Sequence, residues 1–135
     1  MLITSSGLDD IIKTNSIESE FEETKVYIKS VYIKYANANL NKFNESFTLK
    51  YIDAINDYKF DKYQNIGDEL LFINTFFPKA LNGASIDYYH SLASSCYYKC
   101  HVILKGQWPL FQELSGKFSY FVGNISEENK DLNLK

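Results

Sequence analysis

The sequence predicts a single all-α domain, an irregular bundle of about five helices within residues 1–135. Apolar residues recur at spacings of three and four far more often than two, which is the period of an amphipathic helix. Two prolines and six glycines interrupt 135 residues, and these are the residues that most often end helices. With 45% hydrophobic and 16% aromatic residues, a chain of this length can bury a core rich in rings.

The first predicted helix begins near Ser19, where Glu22 completes a Ser-x-x-Glu capping box. The asparagine-rich segment "NANLNKFNES" ends this helix, because Asn side chains compete for backbone hydrogen bonds. Residues 1–15 and 127–135 are polar and aperiodic, and we expect them to be mobile. The apolar stripe of the helix consists of Phe21, Thr24, Ile28, Val31, Tyr35 and Ala38.

The second predicted helix covers roughly residues 45–58 and has a narrower apolar stripe. The third, roughly 65–77, is apolar most of the way round, so we expect the third or the fourth helix to be central. Pro78 ends the third helix, because a proline ring disfavours helical geometry in the residue before it. The stripe of the second helix is Leu49, Ile52 and Ile55.

The fourth and fifth predicted helices have clear start signals. A turn at Gly83 leads into Ser85, which caps a helix over roughly 86–104. Pro109 stands at the first position of the fifth helix, where its missing N–H costs nothing. The stripe of the fifth helix is Phe111, Leu114, Phe118, Phe121, Val122 and Ile125.

Charge and cysteine content exclude several classes of function. The formal net charge is −3, and all fourteen basic residues other than histidine are lysine. Arginine supplies the bidentate grip on phosphates and guanine edges, so we expect no nucleic-acid binding. Two cysteines suit a reducing compartment, and no signal peptide or apolar span is evident, so we expect a cytoplasmic protein without membrane contact.

The segment "DYYHSLASSCYYKCH", residues 87–101, concentrates residue types that serve in metal and catalytic sites. On a helix, Cys96 and Cys100 lie within the apolar stripe, whereas His90 and His101 lie about 100° away. The histidines are roughly 16 Å apart along the axis, so four ligands cannot converge on a metal. We therefore expect buried cysteines acting as small hydrophobes, and no metal or cofactor.

Asp87, His90 and Ser94 align an acid, a base and a hydroxyl on one face of this helix. Nucleophilic catalysis also requires an activated hydroxyl and donors for an oxyanion, and no G-x-S-x-G elbow is present. We therefore predict no catalytic residues. Tyrosines lie all round the helix, and aromatic residues are enriched at interfaces. The predicted interaction surface is Tyr88, Tyr97, Tyr98, His90 and His101.

Three elements carry a family resemblance: Gly67, Asp68, Leu71, Phe72, Phe76, Phe77 and Pro78, then Asp87, Tyr88, Tyr89 and Tyr97, then Leu110, Phe111, Glu113, Leu114 and Phe118. Their pattern resembles a family of small, uncharacterised all-helical proteins from proteobacteria. The resemblance covers the C-terminal half of the chain, implies an all-helical domain and implies no reaction. It draws attention to Asp68 and Asp87 as structural polar residues that tie helix ends or loops together.

The leading functional expectation is a non-catalytic cytoplasmic protein that acts through protein–protein contacts. Its partner would be another protein or a second copy of the chain. The alternative is a helical pocket that binds or transforms an apolar or aromatic small molecule, because the same rings can line a cavity.

Overall fold

The computed structural model describes residues 19–36, 46–81 and 84–129, with side chains as far as Asn124. Within these ranges it contains six α-helices, one short 3₁₀ turn and no strand, which confirms the all-α prediction. Gly83, residues 1–15 and residues 130–135 lie outside these ranges. The helices are α1 Glu22–Tyr35, α2 Phe47–Asp57, α3 Phe60–Phe76, α4 Ile86–Ile103, α5 Pro109–Gly116 and α6 Phe118–Asn129, and the 3₁₀ turn is Pro78–Ala80.

Local sequence signals explain several helix ends. The Ser85 hydroxyl accepts a hydrogen bond from the Tyr88 N–H at 3.1 Å and caps α4, as predicted. The helix α3 ends at Phe76, before Pro78, and Pro109 begins α5. The start of α3 was predicted too late. Tyr58 adopts a left-handed backbone conformation with φ of 49°, which turns the chain directly from α2 into a helix that begins at Phe60.

The capping box predicted at Ser19 and Glu22 is wrong. Phe21 is the N-cap residue of α1 and is extended, and no side chain within the helix caps it. The Ser19 hydroxyl instead donates to the Phe21 carbonyl at 2.5 Å. Glu113 of another helix instead accepts hydrogen bonds from the backbone immediately before α1, as described below.

The predicted fifth helix is divided at Lys117 into α5 and α6. Gly116 weakens the helix there, because glycine has low helix propensity. The side chain of Ser115 also bonds away from its own helix, to the carbonyl oxygen of Ser94 on α4. The bend lets Phe118 and Phe121 both reach the core, where they are buried.

The helices α3 and α4 form the centre of the bundle. They make the most extensive contact among the described helices, and α3 also packs against α1, α2 and α6, which confirms the expectation of a central third or fourth helix. The core around these two helices is aromatic. Tyr32 meets Phe76 edge to face with ring centroids 4.8 Å apart, and Phe47 meets Tyr89 at 6.3 Å. Such pairs stabilise beyond their buried area by about 1 kcal/mol.

The helix α2 turns its predicted stripe away from the core. Leu49, Ile52 and Ile55 are 66%, 48% and 47% exposed, whereas Phe47 and Ala54 on the opposite side are buried. This helix has apolar residues on two sides. The side carrying Phe47 packs inward, because a phenyl ring buries more apolar area than an aliphatic side chain.

Candidate functional site

A polar cluster lies inside the aromatic core, centred on Asp68 of α3, which is 4% exposed. The hydroxyl groups of Tyr27 and Tyr97 both donate to Oδ1 of Asp68, at 2.6 and 2.8 Å. Nε2 of Gln64 donates to the Tyr27 hydroxyl oxygen at 3.0 Å. The cluster therefore joins α1, α3 and α4 through one carboxylate.

The electrostatics of the cluster are those of a carboxylate held in an apolar site. Burial raises the pKa of Asp68 to about 6, although hydrogen bonds from Tyr27 and Tyr97 and the charge of Lys34 oppose the rise. Burial and the charge of Asp68 raise the pKa of both tyrosines well above the ordinary value. The phenols therefore remain protonated donors, and they serve to satisfy Asp68 rather than to exchange protons.

Tyr97 is wholly buried, so its assignment to an interaction surface is wrong. Its ring lies on Gly67 of α3, where a Cβ atom would approach Cε1 of Tyr97 to 2.9 Å. Phe111 of α5 and Phe118 of α6 pack on the same ring, with centroids 6.2 and 6.3 Å away. A glycine on α3 makes the space that draws Tyr97 inward, and Asp68 beside it accepts the Tyr97 hydroxyl.

The other four residues of the predicted surface do not form one patch. Tyr88 is 37% exposed and shares a hydrogen bond with Thr48 of α2. His90 turns toward α6, and its Nδ1 lies 2.8 Å from Oγ of Ser119. Tyr98 is 54% exposed and stacks near His101 at 6.0 Å, close to the C-terminal end of α4.

Glu113 of α5 is a structural residue that the sequence did not single out for this role. It is buried, and its Oε2 accepts a hydrogen bond from the Glu20 N–H at 2.5 Å. Burial alone would raise the pKa of Glu113. The Thr24 hydroxyl, the N–H groups of Glu20 and Phe21 and the charge of Lys117 together lower this pKa below its ordinary value. Glu113 therefore caps α1 as an ionised carboxylate from outside that helix.

A groove of about 560 Å³ lies between the first half of α4 and the junction of α5 with α6. It is rich in hydroxyl groups. Ser94 and Ser115 close one side of it with reciprocal bonds, in which each hydroxyl donates to the other residue's carbonyl oxygen at 2.6 and 2.8 Å. The groove residues are Asp87, His90, Ser91, Ser94, Ser95, Ser115, Gly116, Lys117, Phe118, Ser119 and Tyr120.

Ser94 is not the partner of His90, although both lie on one face of α4. Its hydroxyl is committed to the Ser115 carbonyl, and His90 bonds to Ser119 instead. Asp87 is exposed in the first turn of α4, where a carboxylate interacts favourably with the helix dipole. The acid, base and hydroxyl that share one face of α4 therefore do not form a catalytic triad. Nothing local in the sequence indicated Ser119, which belongs to another helix.

Both cysteines are buried in the apolar side of α4. Burial raises the pKa of Cys96 to about 12 and that of Cys100 further, so both thiols are protonated and unreactive. In residues 19–36, 46–81 and 84–129, no group of three His, Cys, Asp or Glu side chains is placed to hold a metal ion.

The exposed side of α2 is the second candidate surface, and we call Leu49, Ile52, Ile55 and Tyr88 the α2 face. The charged residues of α2 pair with α3, and one of them, Asp53, lies one helical turn after Leu49 at the border of this face. Lys50 Nζ is 3.0 Å from Glu69 Oε2, and Asp53 and Asp57 both bind Lys62. The α2 face is therefore apolar, and the charge at its border, Asp53, is paired with Lys62.

No helix in the described part of the chain has the length and apolar character needed to cross a membrane. Comparison of the chain with protein-family models, with curated proteins and with solved structures found no match.

Proposed function

We propose that this chain is a cytoplasmic protein that acts by protein–protein contact, and that its partner is a second copy bound through the α2 face. The observation that carries the proposal is the outward stripe of α2, with Leu49 66% and Ile52 48% exposed beside one another. Contiguous exposed apolar patches on helical proteins commonly mark binding surfaces.

Local charge at the α2 face is compatible with a second copy as the occupant. The protein has a net charge of −3, so two copies repel at long range. The acids of α2, Asp53 and Asp57, are both paired with Lys62. A two-fold axis through the face would bring equal apolar patches together without opposing like charges.

The energetics depend on aliphatic burial. Full burial of a leucine or isoleucine contributes roughly 1.5–3 kcal/mol, so a half-exposed side chain has about 1 kcal/mol still to gain. In a two-fold contact each residue counts twice. Replacing Leu49 and Ile52 by serine therefore removes about 4 kcal/mol of association free energy, a weakening of roughly a thousand-fold.

Native mass spectrometry and sedimentation of the full chain test the proposal. We expect a dimer for the unchanged protein, and a monomer with an unchanged helical circular dichroism spectrum for Leu49→Ser/Ile52→Ser. The matched control is Val26→Ser/Ile33→Ser on α1, where the two residues are 62% and 38% exposed, and it should remain a dimer. A monomeric unchanged protein at high micromolar concentration contradicts the proposal.

The variant Tyr98→Ser distinguishes the α2 face from a contact surface on the C-terminal half of α4. Tyr98 lies away from the α2 face and is 54% exposed. Tyr98→Ser should leave the dimer intact. A dimer that survives the α2 variant and dissociates in Tyr98→Ser places the contact on α4 instead.

A further inference from the structure

We propose that Ser119 and His90 form an acyl-transfer pair in the groove between α4 and α6, with Ser119 as nucleophile and His90 as its general base. The substrate class is small carboxylic esters. The pair is separate from the α2 face, so its test does not depend on whether the protein forms a dimer.

The geometry is that of an activated hydroxyl. Nδ1 of His90 lies 2.8 Å from Oγ of Ser119, within the range required between a base and the proton that it removes. Ser119 is exposed to the groove, and the His90 ring is held edge-on against Phe118 with centroids 5.3 Å apart. When Ser119 donates to Nδ1, the proton of neutral His90 is on Nε2.

The charge state of His90 suits a base. Burial lowers the pKa of His90 below its ordinary value, and the charge of Asp87 opposes this, so the imidazole is neutral and can accept a proton at neutral pH. Asp87 lies one turn before His90 and lines the same groove. Its carboxylate favours the imidazolium that forms when Ser119 gives up its proton.

The position of Ser119 at the start of α6 supplies the remaining requirement. Ser119 is the second residue of this twelve-residue helix. Backbone N–H groups in a first helical turn have no carbonyl partner within their own helix, and the helix dipole favours negative charge there. An oxyanion formed on the acyl group attacked by Ser119 therefore lies near the positive end of the α6 dipole.

The reaction balances with an ester and water. The Oγ–carbon bond forms as the Ser119 proton passes to Nδ1 of His90. The tetrahedral oxyanion then collapses, the bond to the leaving oxygen breaks, and His90 returns the proton to the departing alcohol. Water attacks the acyl-serine with His90 as base, which releases the carboxylic acid and restores the Ser119 hydroxyl.

Two features of the groove set the substrate class. Its volume of about 560 Å³ accommodates a small molecule rather than a polymer. Tyr120 lines it together with several serines, which suits a short acyl chain next to a polar ester group.

An alkyl fluorophosphonate probe tests the pair, because it phosphonylates only activated serines. The full-length protein is treated with the probe, and the adduct is located by peptide mass spectrometry. We expect one adduct, on Ser119, which is absent in Ser119→Ala and forms at least about 100-fold more slowly in His90→Ala. Ser91→Ala is the matched control, an exposed serine of the same groove, and should label normally.

Hydrolysis of p-nitrophenyl butyrate gives a second readout, with the same loss expected in both variants. Circular dichroism confirms that each variant is folded, and the exposure of Ser119 makes its alanine variant a mild change. No adduct on Ser119 of the unchanged protein, or labelling of His90→Ala at the unchanged rate, overturns the proposal.

Discussion

Replacing Asp68 by asparagine should stabilise the protein at neutral pH. Asparagine keeps the shape of the side chain and an Oδ1 that can accept from both Tyr27 and Tyr97, so the contacts of the cluster remain. What it removes is a negative charge in a site that is 4% exposed. Burial of an ionised carboxylate is unfavourable unless its partners compensate, and the raised pKa of Asp68 means that here they do so only in part.

The size of the expected stabilisation follows from proton linkage. The pKa of Asp68 is about 6 in the folded protein, against an ordinary value of 3.8, and this difference corresponds to about 3 kcal/mol. Because the folded pKa is raised, the folded state holds a proton that the unfolded state has lost between about pH 4 and pH 6. The free energy of unfolding therefore falls as pH rises through this window. Above about pH 6, the ionised Asp68 lowers the free energy of unfolding by the full amount.

Urea denaturation of the unchanged protein and Asp68→Asn, from pH 4 to pH 8, measures this effect as a difference. Other titrating groups contribute to both proteins and cancel. We expect Asp68→Asn to be more stable by up to about 3 kcal/mol above pH 7 and to lose this advantage near pH 4. Asp68→Ala, which leaves two buried hydroxyls without an acceptor, should instead be destabilised by about 3 kcal/mol. An Asp68→Asn variant that is less stable than the unchanged protein by the same amount at every pH would refute the reasoning.

Further outcomes are expected for the other elements of the core. Gly67→Ala should lose about 2 kcal/mol of unfolding free energy in urea denaturation, because its Cβ would meet the Tyr97 ring at 2.9 Å. Gly123→Ala has open space around it and should gain up to about 1 kcal/mol. Equal effects of the two substitutions would contradict the role given to Gly67. Glu113→Gln should lose about 1 kcal/mol at pH 7, and because the folded pKa is lowered, the deficit should shrink as pH falls below about 4. The two cysteines should react with a thiol reagent only when the protein unfolds, so rapid labelling of the native protein would show that α4 is open.

The parts of the fold that the sequence predicted are those set by neighbouring residues. Ser85, Pro78 and Pro109 act through bonds and clashes within one turn of helix, so their positions alone predict the ends that the structure shows. The choice between Tyr97 and Tyr98 could not be made in this way. Both belong to a helix with tyrosines all round, and the space that receives Tyr97 is created by Gly67 on a different helix.

The same limit applies to the candidate sites. The partner of His90 is 29 residues away, and the N–H group that Glu113 accepts from is 93 residues away, so no spacing rule connects either pair. For α2, the sequence left open which side of the helix faces the core. A helix with apolar residues on two sides predicts that one is buried, but the ring of Phe47 rather than the Leu49 stripe proved to be the inward side.

The cap that Glu113 places on α1 has a consequence for the order in which the chain assembles. The first described helix to leave the ribosome is α1, yet the carboxylate that binds the Glu20 N–H just before it belongs to a residue made 93 positions later. The Phe111 ring that packs against Tyr27 arrives with that segment. Until then α1 can pack only on α3 and on Tyr97 of α4, and the side of α1 that later contacts α5 is exposed to water. The packing of α1 is therefore completed only after α5 is made, and truncation of the chain before α5 should leave α3 and α4 paired while α1 exchanges its amide hydrogens freely.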